Sequence, residues 1–369
     1  MLEIIFIIVL FSLLVIIHEW GHFIMARRNG VGVEEFGIGF PPYLWGKVVK
    51  GTLYSINLLP LGGFVRLKGE DAAETGPGTF GGASYLAKFK ILIAGVFLNL
   101  VTAVVILFVL CMTGVPSLGS QFDPQFLNPT SAEPKKLLIG AVTPGSPADK
   151  AGIKKGDFLL QANGAAVDDD AALRNFTKTN AGKEVTLKVR SSDVERDVKV
   201  TLREPSSTEG FLGVGANQIH IIKYNPWEAA VASIYMTGAL FWATIVGVLN
   251  LLISIPQLLT GLFQSQVPAA AEMASGPVGI FFIMQSLSVL GLSYLFLFIA
   301  NIAVALAAFN VLPLPALDGG RLALITWQKI SKRKVNSDTE AKIHTYGFIA
   351  LLALMLLITV YDLKKRGIL

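Results

Sequence analysis

The sequence predicts a polytopic α-helical membrane protein. It carries a membrane-associated β-hairpin on the cytoplasmic side and an α+β module outside the membrane. Three observations carry that prediction. Of 369 residues, 53% are hydrophobic and only 15% charged, where an average soluble domain has about 25% charged, and the mean hydropathy is +0.59. The apolar residues are gathered into runs long enough to span or bury, at about 2–25, 91–113, 226–265, 277–312 and 343–361. A single long stretch, 114–225, is polar and of soluble type. This balance excludes a disordered chain, a coiled coil and an ordinary cytosolic enzyme.

The first run is apolar apart from Glu3 and the cluster His18-Glu19-Trp20-Gly21-His22. A cleaved signal peptide has its basic residues before the apolar core. Here Arg27 and Arg28 come after it, which predicts a retained helix with its basic end in the cytoplasm. Next, 43–49 and 52–58 flank Lys50-Gly51 as a β-hairpin, and Pro60-Leu61-Gly62-Gly63 turns into a third extended piece. The run after Lys88 and Lys90 returns the chain to the outside. In the polar stretch, strands are expected at 138–142, 184–190 and 196–202 and a helix at 168–180. Trp227 to Pro256 has one charge, Glu228, and is apolar on all sides, as a buried or spanning helix is. A gap with Pro268, Glu272, Gly276 and Pro277 leads to a tract closed by Asn310 and the segment Leu312-Pro313-Leu314-Pro315-Ala316-Leu317-Asp318-Gly319-Gly320. A basic loop, Lys332-Arg333-Lys334, precedes the last span, which ends in Lys364-Lys365-Arg366. The chain thus divides into an N-terminal membrane core (1–113), an extracytoplasmic region (114–225) and a C-terminal membrane core (226–369).

Of 31 basic and 26 acidic residues, giving a net charge of +5, none form a basic run with interleaved aromatics. The excess is loop charge on the cytoplasmic side, and no nucleic-acid partner is expected. The single cysteine, Cys111, allows no intrachain disulfide. Of the four histidines, His220 and His344 lie outside any motif and read as ordinary surface or loop residues.

His18 and His22, at i and i+4, share one helix face, with Glu19 beside the first. H-E-x-x-H sets two imidazoles on one zinc and a carboxylate beside the remaining water. A chance match in this length is on the order of 10⁻³. The alternative, two satisfied interior histidines, requires ionisable groups to be buried in an apolar helix without a use, which is expensive. Seventeen residues precede His18, about 25 Å of helix, which sets the motif inside the membrane towards its cytoplasmic face. A catalytic zinc needs a third protein ligand and an open position. Asp318 is the best candidate, because it ends an apolar tract through prolines that free backbone groups to shape a cavity. The competing reading is a plain cytoplasmic helix end.

H-E-x-x-H in the first helix together with N-x-x-P-x-P-x-L-D-G near the end resembles the site-2 proteases, intramembrane zinc metalloproteases. Gly95-Val96-Phe97-Leu98-Asn99 matches a segment of that family's second core helix, whose simpler reading is close helix packing. Ser146-Pro147-Ala148, Ala151-Gly152 and Gly156-Asp157 resemble a permuted bacterial PDZ domain, over about 137–204. The resemblance is nearest to the bacterial enzymes of regulated intramembrane proteolysis. It implies zinc held by His18, His22 and Asp318, Glu19 as catalytic acid/base, and Asn310 as support for substrate or oxyanion. It also implies a place in the bacterial inner (cytoplasmic) membrane with the PDZ domain extracytoplasmic. Substrates are then single-span membrane proteins already trimmed outside, of the anti-sigma-factor or remnant-signal-peptide type. The PDZ domain would take a ligand or a trimmed substrate end, and the hairpin would hold an opened substrate by strand addition.

Two other classes compete. A catalytically silent PDZ receptor or membrane chaperone would tolerate loss of a motif residue, yet H-E-x-x-H and Leu317-Asp318-Gly319 are intact. A transporter also uses broken helices and buried carboxylates, but no inverted repeat is visible. The number of passes between 226 and 318 must be odd. One suffices if 226–265 lies at the interface, and three are needed if it spans and 277–291 returns.

Overall fold

The computed structural model describes residues 2–70, 74–132, 136–191, 194–204, 210–261, 275–288, 290–333, 335–365 and 368. Pro268, Glu272, Lys334 and Arg366 lie outside the described residues. In chain order the helices are α1 (Leu2–Arg28), α2 (Tyr85–Thr113), α3 (Pro147–Lys150), α4 (Asp170–Thr179) and α5 (Pro226–Ile253). There follow α6 (Ile255–Gly261), α7 (Pro277–Ser288), α8 (Leu292–Val311), α9 (Asp318–Ser331) and α10 (Ser337–Lys364). Five of these, α1, α2, α5, α8 and α10, are long and apolar enough to cross a membrane. The chain forms two compact units. One comprises Met1–Ile106, Met236–Met284 and Phe298–Leu369, and the other Leu107–Tyr235 and Gln285–Leu297.

In the first unit, α1 stops where the sequence can turn. Arg27 and Arg28 occupy its last turn, where cations suit the helix dipole. Gly30 takes a φ of 75°, and Val31 N–H closes back on the Ala26 carbonyl. The hairpin that follows is larger than its turn signals predict. Strands β1 (Val33–Val49) and β2 (Thr52–Leu67) each fold into two extended segments. Residues 43–49 pair with 52–57 around Lys50-Gly51, as expected. Residues 35–38 then lie between two neighbours: Phe36 is opposite Val65 on one side and Tyr54 on the other. The piece after Gly63 is therefore an edge of the same sheet rather than a separate extension. Gly39, Pro41-Pro42 and Gly62 interrupt period-2 alternation, so the pattern hides the first segment.

The root of this sheet packs on α1 and α2 through Phe23, Ala26, Val33, Phe36, Leu67, Ile91 and Leu92. Its tip, with Tyr43, Leu44, Trp45 and Val48 each at least 55% exposed, presents an apolar surface of the kind a bilayer would cover.

In the second unit, strands β5 (Lys136–Val142), β6 (Phe158–Ala162), β8 (Glu184–Ser191), β9 (Val194–Thr201) and β10 (Val214–Ile219) form one sheet. Their order is β10-β5-β6-β8-β9, with β7 (Ala165–Ala166) on β6. Its core is Leu137, Ile139, Leu159, Leu173, Leu187, Val189 and Val200. Ser146 and Asp169 cap α3 and α4 by accepting the Asp149 and Ala172 amides. The edge strand β10 lies past residue 204. It pairs with β5 from Val214 opposite Val142 to Ile219 opposite Lys136, and Gly213 and Gly215 mask it as a strand in the sequence. A small second sheet joins β3 (Val115–Pro116), β11 (Ile221–Lys223) and β4 (Ser131–Ala132).

Candidate metal centre

His18, Glu19 and His22 stand on α1 at the depth where it meets α2 and the hairpin. The helices touch there because neither has a side chain in the way. A Cβ on Gly21 would lie 2.5 Å from the Ala94 carbonyl oxygen. A Cβ on Gly95 would lie 2.6 Å from both His18 Cε1 and His22 Nε2. Gly95 is thus more than a packing glycine. It is the wall against which both imidazoles lie.

Asp318 arrives from the other end of the sequence. After α8, Pro313 and Pro315 prevent helical continuation, and α9 restarts at Asp318 itself. A Cβ on Gly319 or Gly320 would collide with the backbone of 311–315, so the glycine pair lets the chain fold back tightly at this point. Ala316 donates its N–H to His344 Nδ1 at 3.1 Å, which fastens the turn to α10. His344 therefore buttresses the Asp318 turn, whereas its sequence context suggests an ordinary surface or loop residue.

The three groups converge. His18 Nε2 lies 3.0 Å and His22 Nε2 3.2 Å from Asp318 Oδ2, and the two Nε2 atoms are 3.1 Å apart. Three ligands each about 2.0–2.1 Å from one tetrahedral ion have edges of about 3.3 Å, so the donor set fits a zinc ion. Among the described residues this is the one group of three such side chains within reach of one another, and both histidines are buried. His22 Nδ1 donates to the Ile91 carbonyl at 2.7 Å, which leaves its Nε2 lone pair for a metal. Two imidazoles and one carboxylate leave a fourth position open, the form of a catalytic rather than a structural site.

Glu19 Oε2 accepts the Val65 amide at 3.0 Å, so the carboxylate that adjoins His18 in sequence is held by the sheet edge. Asn310 stands in the last turn of α8, half-buried. Among the described residues its side chain makes no hydrogen bond to His18, Glu19, His22 or Asp318.

The pattern of Peptidase family M50 matches residues 6–354, nearly the whole chain. This protein belongs to that family. A Clostridium acetobutylicum protein named as a zinc metalloprotease is 33% identical over 356 residues, 96% of this chain and 95% of its own length. A Clostridium perfringens protein named likewise is 30% identical over 98% of both chains. The regulator of sigma-W protease RasP of Bacillus subtilis is 27% identical over 97% of both. The protein is a zinc metalloprotease of the site-2 class and, with its long apolar helices, a multi-pass membrane protein.

Two features near the site have no clear sign in the sequence. Arg321, one turn after Asp318, pairs with Glu70 Oε1 at 2.5 Å, bonds the Glu70 carbonyl and covers the Phe80 ring. Glu70 Oε2 in turn accepts the Leu67 amide at 3.0 Å. Asn99 is fully buried beside His18. Only the Gly95-to-Asn99 match pointed towards it.

Proposed function

We propose that the protein is an intramembrane endopeptidase that cuts within transmembrane segments of single-span proteins already trimmed outside, in regulated intramembrane proteolysis. The observation that carries this reading is the convergence of His18, His22 and Asp318 at 3.0–3.2 Å on apolar segments, with Glu19 beside them. His18, His22 and Asp318 hold the ion, and Glu19 is the acid/base. When bound, zinc supplies Lewis acidity that makes water a nucleophile near neutral pH and polarises the scissile carbonyl. Glu19 takes a proton from the attacking water and gives it to the leaving amine. Asn310, on the helix before the Asp318 turn, supports substrate backbone or oxyanion once substrate is present.

A transmembrane helix hides its peptide bonds within its own hydrogen-bond ladder, so the segment to be cut must open. The sheet edge at 63–67, tied to Glu19 through Val65, offers backbone groups to hold it extended. The α+β module of the second unit is read as an extracytoplasmic PDZ domain that binds or sizes trimmed ends. A place in the bacterial inner membrane and substrates of the anti-sigma-factor or remnant-signal-peptide type belong to the same reading. The relative from Bacillus subtilis, named as a sigma-W regulator, supports it.

The test is cleavage of a single-span substrate with a shortened outer end, in detergent, with products mapped by mass spectrometry. Cuts inside the apolar segment by the intact protein, abolished by a zinc chelator and restored by added zinc, are expected. Cuts confined to the soluble part, or insensitivity to the chelator, would refute the reading.

A further inference from the structure

We propose that Asn99 is a positioning residue of the metal centre: its side-chain carbonyl accepts the Nδ1–H of His18 and so aims the Nε2 lone pair at the zinc. The inference rests on the reading of His18 as a ligand.

One stripe of α2 faces the two imidazoles. Ile91, Gly95 and Asn99 are spaced four apart and share a helix face. Ile91 holds His22 through its carbonyl, at 2.7 Å from Nδ1. Gly95 leaves room for both rings. Asn99 stands opposite His18, with its amide nitrogen 3.3 Å from Nδ1 and its Oδ1 buried without a hydrogen-bond partner. The residue is 0% exposed, so no bulk water completes it.

A neutral imidazole carries one N–H. In the arrangement just described, the amide donates to Nδ1, and the Nε2–H of His18 donates to Asp318 Oδ2 at 3.0 Å. With zinc on Nε2, the N–H of His18 stands on Nδ1 and would meet the amide NH₂ donor to donor. A half-turn of the amide about Cβ–Cγ exchanges oxygen and nitrogen with almost no change of shape. Oδ1 then accepts from Nδ1–H, and the buried carbonyl gains the partner it lacks. Asparagine is suited to this place because one side chain can donate to Nδ1 or, turned over, accept from it. A leucine of similar volume offers neither. Ring-orienting acceptors of this kind are typically worth 10- to 100-fold in metal affinity.

The test is zinc affinity of the full-length protein in detergent, by competition with a chromophoric chelator. Asn99→Leu should bind zinc 10- to 100-fold more weakly, and Asn99→Asp, which keeps an acceptor of the same shape, should recover most of the loss. Wild-type affinity in Asn99→Leu, or equal losses in both variants, would overturn the proposal. His18→Ala and His22→Ala run alongside. If they keep zinc, the ligand reading fails and the proposal with it. If they lose zinc while Asn99→Leu keeps it, the Asn99 claim alone falls. Should Asn99→Leu not fold, zinc-loaded wild type labelled with ¹⁵N-histidine decides. A slowly exchanging His18 Nδ1 proton is expected, and one exchanging freely with water would overturn the proposal.

Discussion

At the residue scale, the site is built as much from absent side chains as from present ones. Gly95 leaves the space that two imidazoles fill, and Gly21 lets α1 come up to the Ala94 carbonyl. Gly95→Ala should therefore damage the metal centre before it damages the fold. A methyl placed 2.6 Å from His18 Cε1 and His22 Nε2 must push both rings aside. We expect zinc affinity to fall at least about tenfold, with thermal unfolding of the zinc-free protein little changed. A chelator titration beside a melting curve checks this, and the opposite pattern would make Gly95 a packing residue only. His18 and His22 were legible because a helix turns a spacing of four into a shared face, and Glu19 because it adjoins the first of them in the same motif. Asn99 was legible only as part of a matched segment. Its meaning lies in a ring nitrogen 81 positions away, which no local pattern encodes.

At the element scale, hydropathy located the apolar helices because lipid and core both demand long uninterrupted runs. Three of the hairpin's four extended segments were read, the piece after Gly63 among them, and the first, 33–40, was missed. The outer pair of segments announces itself through Lys50-Gly51, but the inner pair is joined through Gly39, Pro41-Pro42 and Pro60 to Gly63, where alternation fails. The helix that begins at Asp318 is amphipathic and short, and its role is clear only from what it touches. Arg321 fastens it to the chain just beyond the hairpin through Glu70, and the Tyr85 hydroxyl meets Thr326 at 3.1 Å. Arg321 and Glu70 are 19% and 29% exposed, so the pair is partly desolvated and its loss is felt more than that of a surface bridge. We expect Arg321→Ala to lower cleavage and the melting temperature together. In a double-mutant cycle with Glu70→Ala, a coupling of about 1–3 kcal/mol is expected. Additive losses would show that the pair does not link α9 to the hairpin.

At the scale of the whole molecule, the centre joins distant parts of the chain: His18 and Asp318 are 300 positions apart in sequence, and His18 Nε2 lies 3.0 Å from Asp318 Oδ2. The sequence named both residues, one through a tight motif and the other through a carboxylate that ends an apolar tract. It could not show that they meet, because folding distant segments together depends on packing that no periodicity records. The measurement that tests the account most directly is the zinc-to-protein ratio, read side by side with cleavage, in wild type, Asp318→Ala and Glu19→Gln. Wild type should hold one zinc, and Asp318→Ala should lose most of it. Glu19→Gln should keep full zinc with cleavage reduced by about 10²- to 10⁴-fold. Wild-type zinc binding in Asp318→Ala, or wild-type cleavage in Glu19→Gln, would contradict the account.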